Sequence, residues 1–276
     1  MWMFRSMPFR SLTNRPKLSP HDYESIDMTY CVGLRLEDGL VMLSDTRTNA
    51  GVDNISTFKK MHLFSVPGER VIVIMTAGNL AITQSVINLL EEGIEDEKTG
   101  EVETLMNVPT MFQAAQLVGA AVRKAYNVDH EALEAQDVKF DVSLLLGGQI
   151  AGRSLRLFQI YSAGNFVEAT EDTAFLQIGE HKYGKPILDR AATYDTDLFD
   201  GAKLSLISMD STLRSNLTVG LPVDLLIYRK DALDIMVERR IHEDDPYFQT
   251  IRGGWSTALR DAYQTLPPPP WTNGDG

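Results

Sequence analysis

The pattern of apolar and polar positions changes at residue 30, where a regular period of two begins. Residues 30–36 carry apolar side chains at alternate positions, which is typical of a strand with one buried face. The tight-turn signal at 37–39 precedes an apolar run that ends near Asp45, and together they predict a β-hairpin. Because the second strand of a hairpin ends beside the start of the first, the pattern places Asp45 near residue 29.

Further along the chain, groups of strands alternate with pairs of helices. A polar loop is predicted over residues 46–57, an acidic loop over 93–107 and a charged irregular segment over 127–139. The predicted strands cover residues 59–64, 71–75, 142–146, 155–161, 165–168, 174–178, 223–228 and 235–240. Four helices are predicted: one with its apolar face from Ile82 to Leu90, one that begins at Pro109, and two over residues 183–194 and 200–217. This order indicates a layered α+β protein, and we predict a four-layer αββα sandwich of two antiparallel sheets.

Both ends of the chain differ from the middle. Residues 1–27 begin with basic side chains and contain three prolines, and no apolar segment of the kind found in secretory signals follows. They are interpreted as a propeptide, as an ordered extension, or as the product of a start codon upstream of a true start at Met28. From Asp244 the tail contains tryptophans and a proline run, which suggests an extension that packs on a surface or stays loose. The predicted division is a leader (1–28), one domain (29–241) and a C-terminal extension (242–276).

The composition narrows the classes of partner. The formal net charge of −12 argues against nucleic acids and anionic membranes. No apolar run approaches the roughly 18 residues of a transmembrane helix. The single cysteine, Cys31, excludes an intrachain disulfide, which fits a reducing compartment, so we expect a cytoplasmic protein. The five histidines lack metal-ligand spacing, and we expect neither a metal nor a cofactor.

The junction between Met28 and Thr29 holds the most specific candidate chemistry. If Met28 is removed, Thr29 carries a hydroxyl nucleophile and a free α-amino base on the same residue. The α-amino group ordinarily has a pKa of about 7.7–8.0, and a nearby lysine ammonium would lower that pKa and stabilise negative charge on the hydroxyl oxygen. An aspartate would hold the lysine, and a glycine N–H would bind an oxyanion. The chain offers these parts in Asp45, in Lys60 or Lys59, and in Gly78.

Each of these residues has a simpler structural explanation when it is taken alone, so the argument depends on their spacing. The pattern Thr29-x15-Asp45-x-Arg47, then Lys59-Lys60 before an apolar strand, then Thr76-Ala77-Gly78, resembles the proteasome β-subunit family of N-terminal nucleophile (Ntn) hydrolases. The nearest branch is that of the bacterial ancestral β-subunits, Anbu, whose members begin Met-Thr-Tyr much as residues 28–30 do here. The resemblance implies the Ntn-hydrolase fold for residues 29–241.

The resemblance also implies a role for each residue that matches the N-terminal motifs. Thr29 matches the family's nucleophile, Asp45 its aspartate and Gly78 its oxyanion glycine. Lys60 matches the family's lysine better than Lys59 does, because an apolar strand follows it directly. It lies one position earlier, counted from the nucleophile, than the lysine of proteasomes.

The C-terminal half matches the family less closely. In the family an aspartate and a serine, three residues apart, support the amine of the nucleophile. Asp210 stands at the place of that aspartate, but Leu213 stands three residues beyond it, so Ser215 is the candidate after a local shift. The small residue that the family places after its central strands falls within Gly179-Glu180.

The resemblance implies a self-assembling threonine peptidase or amidase that acts on a peptide or protein substrate. It also implies a homo-oligomer, arranged as an open ring or a helical stack. A second interpretation is acyl transfer from Thr29 to an amine in peptide-amide metabolism. A third is a non-catalytic assembly module, which applies if residues 1–28 stay attached, because a blocked Thr29 has no amine base. No motif for docking an ATPase partner is legible in the sequence, and none reveals the peptide specificity.

Overall fold

Two five-stranded antiparallel sheets form the centre of the computed structural model, which describes residues 29–49, 55–95 and 99–272. The predicted leader, residues 1–28, and the centre of the predicted 46–57 loop lie outside the described residues. Two short hairpins lie beside the main sheets: β3 (Arg47–Asn49) pairs with β4 (Ile55–Thr57), and β7 (Ile94–Glu95) pairs with β8 (Val102–Glu103).

The first sheet is built around the hairpin predicted from the sequence. β1 (Tyr30–Leu36) pairs on one side with β2 (Gly39–Asp45) and on the other with β12 (Phe175–Gly179). β13 (Val223–Arg229) and β14 (Val237–Ile241) complete the order β12-β1-β2-β13-β14. The strand that follows Thr29 is therefore an inner strand with a neighbour on each side.

The second sheet stacks on the first. It consists of β5 (Met61–Val66), β6 (Arg70–Gly78), β9 (Val142–Ile150), β10 (Arg156–Ile160) and β11 (Phe166–Glu168), in the order β11-β10-β9-β6-β5. Its two longest strands, β6 and β9, pair along their whole length, from Arg70 opposite Ile150 to Gly78 opposite Val142. This register brings the end of β6 to the start of β9.

Helices cover the outer faces of both sheets. They are α1 (Leu80–Glu92), α2 (Met111–Glu134), α3 (Lys185–Ala191), α4 (Leu198–Ser215) and α5 (Pro246–Thr265), with a 3₁₀ turn at Pro270–Thr272. Four of them begin at a polar side chain that accepts hydrogen bonds from backbone N–H groups of the first turn, namely Asn79, Thr110, Asp197 and Asp245. None of the helices in the described part of the chain combines the length and the apolar character that crossing a membrane requires.

Three apolar layers separate the four structural layers. Val118 of α2 and Leu144 of the second sheet belong to one layer. Val73 and Leu226, one from each sheet, belong to the layer between the two sheets. Val32 of β1 belongs to the third layer, between the first sheet and the helices α3, α4 and α5. The four-layer αββα sandwich predicted from the sequence is therefore confirmed, and so is its α+β class.

Two helical segments were not predicted from the sequence. α2 continues to Glu134, so the prediction of an irregular segment over 127–139 was wrong for its first part. The C-terminal extension, predicted to pack on a surface or stay loose, contains the twenty-residue helix α5, which packs on α4. Polar and charged side chains are frequent in both segments and obscured the helical pattern. In α5 only Phe248 and Ile251 are buried.

Candidate active site

A buried ion pair between Asp45 and Lys60 forms the centre of the candidate site. Asp45 is the last residue of β2 and Lys60 immediately precedes β5, so the pair links the two stacked sheets. The Lys60 Nζ lies 2.8 Å from the Asp45 Oδ1, and the side chains are 6% and 0% exposed. Lys60 also donates to the carbonyl oxygen of Arg47 at 2.6 Å. These bonds hold the ammonium in one place.

Asp45 also binds the backbone of the strand that follows the candidate nucleophile. Its Oδ1 accepts a hydrogen bond from the Tyr30 N–H at 3.1 Å, and its Oδ2 accepts one from the Gly220 N–H at 3.5 Å. Burial raises the pKa of the Asp45 carboxyl, while the Lys60 ammonium and these two N–H groups oppose that rise. The sequence placed Asp45 near residue 29, and this prediction is confirmed, because its carboxylate contacts residue 30.

Thr29 is held from the other side by the end of β12. Its carbonyl oxygen accepts a hydrogen bond from the Glu180 N–H at 2.7 Å, and the residue is 5% exposed. Gly179 lies opposite Tyr30 in the sheet and has a φ of +76°, and a Cβ added there would lie 2.0 Å from the Thr29 carbonyl oxygen. The close approach of the Thr29 backbone therefore requires glycine at position 179.

For the threonine chemistry that the sequence resemblance implies, we expect Gly179→Ala to displace Thr29 and to lower amide hydrolysis by about 100-fold, because a misplacement of about 1 Å has effects of that size. Gly152→Ala is the matched control: its φ is +70°, but nothing lies within 4 Å of the added Cβ. Both variants carry the strain of alanine in the left-handed region, about 1–2 kcal/mol. The two variants are compared by their hydrolysis rates and their urea unfolding curves. Equal losses of activity in both would contradict the predicted displacement of Thr29.

Gly78 ends β6 where the chain turns into α1. It is exposed, with a φ of +106°, and a Cβ added there would lie 2.5 Å from the carbonyl oxygen of Asp141. The Cys31 thiol donates a long hydrogen bond, 3.8 Å, to the carbonyl oxygen of Thr76, so this strand end lies close to the start of β1. An exposed glycine beside a helix N-terminus is a backbone arrangement suited to binding an anion.

The structure separates the two neighbouring lysines. Lys60 is buried and bound to Asp45, whereas Lys59 is exposed. The Lys60 carbonyl oxygen also accepts a hydrogen bond from the Thr76 N–H at 3.0 Å, which fixes this end of β5 against β6. Lys60 is therefore the lysine that the fold brings to the candidate site.

His62, two residues after Lys60, makes stability depend on pH. Burial, with a further contribution from the charge of Lys59, lowers the pKa of its imidazole from 6.5 to about 4. As the pH falls from 6.5 to 4, the unfolded chain therefore binds a proton that the folded protein does not, and the free energy of unfolding decreases. We expect the urea midpoint to fall more steeply across this window in the wild type than in His62→Gln. Parallel curves would contradict this.

Asp210 and Ser215, both on α4, make no hydrogen bond to Thr29 in the described part of the chain. Asp210 is 1% exposed, and its carboxylate accepts hydrogen bonds from Arg214 Nε at 2.9 Å and from Arg252 Nε at 2.7 Å. Because Arg252 belongs to α5, this buried charge ties α4 to α5. Ser215 is exposed at the end of α4. No hydrogen bond among the described residues joins either side chain to Thr29, so their role at its amine stays a prediction without support from these contacts.

The loop after α4, residues 216–222, makes the contacts that sequence reasoning missed. Asn216 is buried and donates to Glu180 Oε2 at 3.1 Å, so the loop is tied to the residue whose N–H holds the candidate nucleophile. Gly220 approaches Asp45, and a Cβ added to it would lie 2.0 Å from Arg47 Nε. In the sequence, Asn216 is only a polar residue directly after a helix, and Gly220 is only a glycine shortly before the last hairpin. Both features are common in ordinary loops, so they did not indicate these contacts.

Neither metal binding nor cysteine chemistry is supported by the residues that the structure describes. No three histidine, cysteine, aspartate or glutamate side chains in that part of the chain cluster in a way that could hold a metal ion. Cys31 is buried, and burial raises the pKa of its thiol, so the unreactive protonated form is favoured.

The chain is similar to several solved structures, although no family model and no curated protein matches it. Anbu (ancestral β-subunit) from Yersinia bercovieri is 51% identical over 88% of this chain and 100% of its own, with a TM-score of 0.80. Anbu from Hyphomicrobium sp. strain MC1 is 53% identical over 87% of this chain and 99% of its own, with a TM-score of 0.78. A structure described as the helical assembly of the Anbu complex from Pseudomonas aeruginosa is 49% identical over 89% of this chain and 100% of its own, with a TM-score of 0.82.

These identities extend over nearly the whole length of each relative, and they accompany a shared arrangement of sheets and helices. The chain therefore belongs to the Anbu family of ancestral β-subunits, which has the proteasome-like Ntn-hydrolase fold.

Proposed function

We propose that this protein is a self-assembling threonine peptidase or amidase, active once Thr29 becomes the first residue of the chain. The buried Asp45–Lys60 pair carries the proposal, because its carboxylate binds the residue next to Thr29. A buried ion pair gains little stability over an apolar pair of the same size. Its placement beside a hydroxyl residue therefore favours a chemical role.

In the proposed reaction, the Thr29 Oγ attacks the carbonyl carbon of an amide while its proton passes to the α-amino group. The Gly78 N–H donates to the oxyanion of the tetrahedral intermediate. The C–N bond then breaks, the leaving amine takes the proton from the α-ammonium, and an ester remains on Thr29. A water molecule attacks this ester, gives its proton to the α-amino group, and releases the carboxylic acid with the Thr29 hydroxyl restored.

Lys60 and Asp45 have separate tasks in this scheme. The Lys60 ammonium lowers the pKa of the α-amino group below its usual range of about 7.7–8.0, so that more of it is the neutral base at neutral pH. The same charge stabilises the developing negative charge on Oγ. Asp45 holds Lys60 in position and also binds the Tyr30 N–H. The same carboxylate therefore positions both the lysine ammonium and the backbone next to Thr29.

The proposed assembly is a homo-oligomer that encloses or lines its active sites, with a peptide or protein as substrate. The relative from Pseudomonas aeruginosa, described as a helical assembly, supports this part of the proposal. Self-assembly and threonine chemistry are independent claims, because oligomer size and amide hydrolysis are measured separately.

The decisive experiment compares a chain started at Met28 with the chain started at Met1. Mass spectrometry of the intact protein identifies the first residue, and a set of fluorogenic peptide amides reports hydrolysis. We expect activity only in preparations that begin at Thr29. Product analysis with and without an added amine distinguishes hydrolysis from acyl transfer. Absence of both reactions in a chain that begins at Thr29 would overturn the catalytic proposal and leave an assembly module.

A further inference from the structure

A buried carboxylate, that of Glu180, lies at the backbone of Thr29 and has no role in the proposed reaction. Its side chain is 10% exposed. The Glu180 N–H donates to the Thr29 carbonyl oxygen at 2.7 Å, which places residue 180 opposite residue 29, next to the paired residues Tyr30 and Gly179. Residues that face each other across antiparallel strands have Cβ atoms about 4.5–5.5 Å apart, so the carboxyl group is within reach of Thr29.

The backbone directs the nitrogen of Thr29 towards the same segment. In antiparallel pairing, the N–H and C=O groups of one residue point to one side of the strand, and those of the next residue point to the other side. The Tyr30 N–H points to Asp45, at the end of β2. The carbonyl group of Thr29 points to Glu180, at the end of β12, so its nitrogen faces that side as well. Removal of Met28 would turn this nitrogen into an α-amino group on the side of the Glu180 carboxylate.

The loop after α4 fixes the orientation of this carboxylate. The Asn216 amide nitrogen donates to Glu180 Oε2 at 3.1 Å. The Asn216 amide oxygen accepts two hydrogen bonds from Thr218, one from its N–H at 2.9 Å and one from its hydroxyl at 2.6 Å, so a flipped amide would lose all three bonds. The same loop reaches Asp45 through the Gly220 N–H. One short segment therefore holds the carboxylates on both sides of the candidate nucleophile.

The negative charge of Glu180 has no buried positive partner in the described part of the chain. Lys182 Nζ lies 3.2 Å from Oε2, but the lysine side chain is 64% exposed, and ion pairs with exposed side chains contribute little. No hydrogen bond from the described residues reaches Oε1. Because a buried charge is normally paired, this carboxylate can accept a further, positively charged donor.

The other charged or titratable side chains in the surrounding elements are bound to other groups or exposed. They are the ion pair of Asp45 with Lys60, Asp210 with its partners Arg214 and Arg252, the exposed His181, and Arg47, which donates to the Leu217 carbonyl oxygen. The Lys60 ammonium opposes a second positive charge near Thr29, and its partner Asp45 compensates for that effect. Among these carboxylates, Glu180 is therefore the one with capacity for the α-ammonium group.

We propose that the Glu180 carboxylate binds the α-amino group of Thr29 in the processed chain and is a positioning residue for the proposed reaction. The α-amino group becomes an ammonium when it takes the proton of the Thr29 hydroxyl, and a fixed carboxylate beside it stabilises that charge as it forms. Lys60 and Glu180 act in opposite directions, because the lysine favours the neutral base and the carboxylate favours the ammonium. The inference rests on the proposed function only in requiring Thr29 as the first residue, and not on hydrolysis.

An NMR titration tests the contact without any need for activity. A chain that begins at residue 29 is obtained by cleaving a fusion partner directly before it, and it carries Thr29→Ala, which keeps the α-amino group and removes the hydroxyl. Isotope labelling of alanine methyl groups then adds one resonance that the Thr29 chain lacks, and its chemical shift against pH gives the pKa of the α-amino group. We expect Glu180→Gln to lower this pKa by at least about 1, because a carboxylate beside an ammonium favours the charged form.

Glu171→Gln is the matched control for this titration. It removes the same charge from an exposed side chain that precedes the opposite end of β12, a strand about 17 Å long, so we expect the pKa of the α-amino group to stay nearly unchanged. Glutamine at position 180 keeps the backbone bond to residue 29 and an oxygen for Asn216, and thermal melts check that the variants fold. Equal pKa values in the parent and in Glu180→Gln, or equal changes in the two variants, would overturn the proposal.

Hydrolysis by the chain that keeps Thr29 tests the positioning role separately. In Glu180→Gln we expect the acidic limb of the kcat/KM profile to move to lower pH, and kcat to fall about tenfold, because the ammonium that forms during attack loses its carboxylate. An unchanged kcat would overturn the positioning role. A lowered pKa in a protein without hydrolytic activity would support the contact and reject the threonine chemistry, whereas an unchanged pKa in an active enzyme would reject only the role of Glu180.

Discussion

Thr29→Ala is expected to lower kcat/KM for amide hydrolysis by at least about 1,000-fold, since it removes the nucleophile of the proposed reaction. The contact that positions residue 29 is a backbone bond, from the Glu180 N–H to the Thr29 carbonyl oxygen, and alanine keeps it. The free energy of unfolding is therefore expected to change by less than about 1 kcal/mol. The measurement uses chains started at Met28, with removal of Met28 verified by mass spectrometry in both proteins.

Thr29→Ser is the matched control for this variant. Serine keeps the hydroxyl and the α-amino group and removes only the methyl group, so we expect activity within about 100-fold of the wild type. A Thr29→Ala protein as active as the wild type would end the assignment of Thr29. Equal inactivity of the alanine and serine variants would instead point to a requirement for the methyl group in positioning the hydroxyl.

Lys60→Met is expected to destabilise the protein by about 3–5 kcal/mol and to abolish hydrolysis. The destabilisation arises because Asp45, which is fully buried, loses its positive partner. The loss of hydrolysis arises mainly because the ammonium no longer stabilises the developing negative charge on the Thr29 Oγ, and also because it no longer lowers the pKa of the α-amino group. Urea unfolding and peptide hydrolysis, measured on the same preparation, give the two quantities. Lys59→Met is the control, because Lys59 is exposed and should leave both quantities nearly unchanged.

The double variant Asp45→Asn with Lys60→Met separates stability from chemistry. The asparagine oxygen can still accept the hydrogen bond from the Tyr30 N–H, and no buried charge remains, so we expect most of the lost stability to return. Hydrolysis should stay absent, because the ammonium is still missing. If the double variant recovered activity together with stability, Lys60 would be a structural residue only.

The N-terminal half of the site could be predicted from the sequence because its parts lie on neighbouring hairpins. The turn at 37–39 determines that the second strand of the hairpin ends, at Asp45, beside residue 29. The start of the next apolar strand directly after Lys60 indicates that Lys60, and not Lys59, points inward. Strand periodicity and turn residues were therefore sufficient to predict this half of the site. The layered fold could be predicted for the same reason, since the order of strands and helices limits how the apolar faces can be buried.

The C-terminal half could not be predicted from local pattern. The loop that reaches Asp45 and Glu180 follows α4, and its contacts depend on how the helix crosses the sheet. Asp210 has the expected place on the helix, but Arg252 of α5 binds it, and α5 was not predicted at all. In α5 and in the last part of α2, polar and charged side chains outnumber the buried apolar ones, which obscured the helical period.

The position of β1 inside its sheet bears on when a competent site can form. β1 pairs with β12, and 147 residues separate Tyr30 from its hydrogen-bond partner Gln177. The Glu180 N–H that binds the Thr29 carbonyl oxygen also belongs to this distant segment. A chain whose synthesis has not yet reached residue 180 therefore lacks both β12 and this contact. The surroundings of Thr29 are complete only after about two thirds of the sequence has been made.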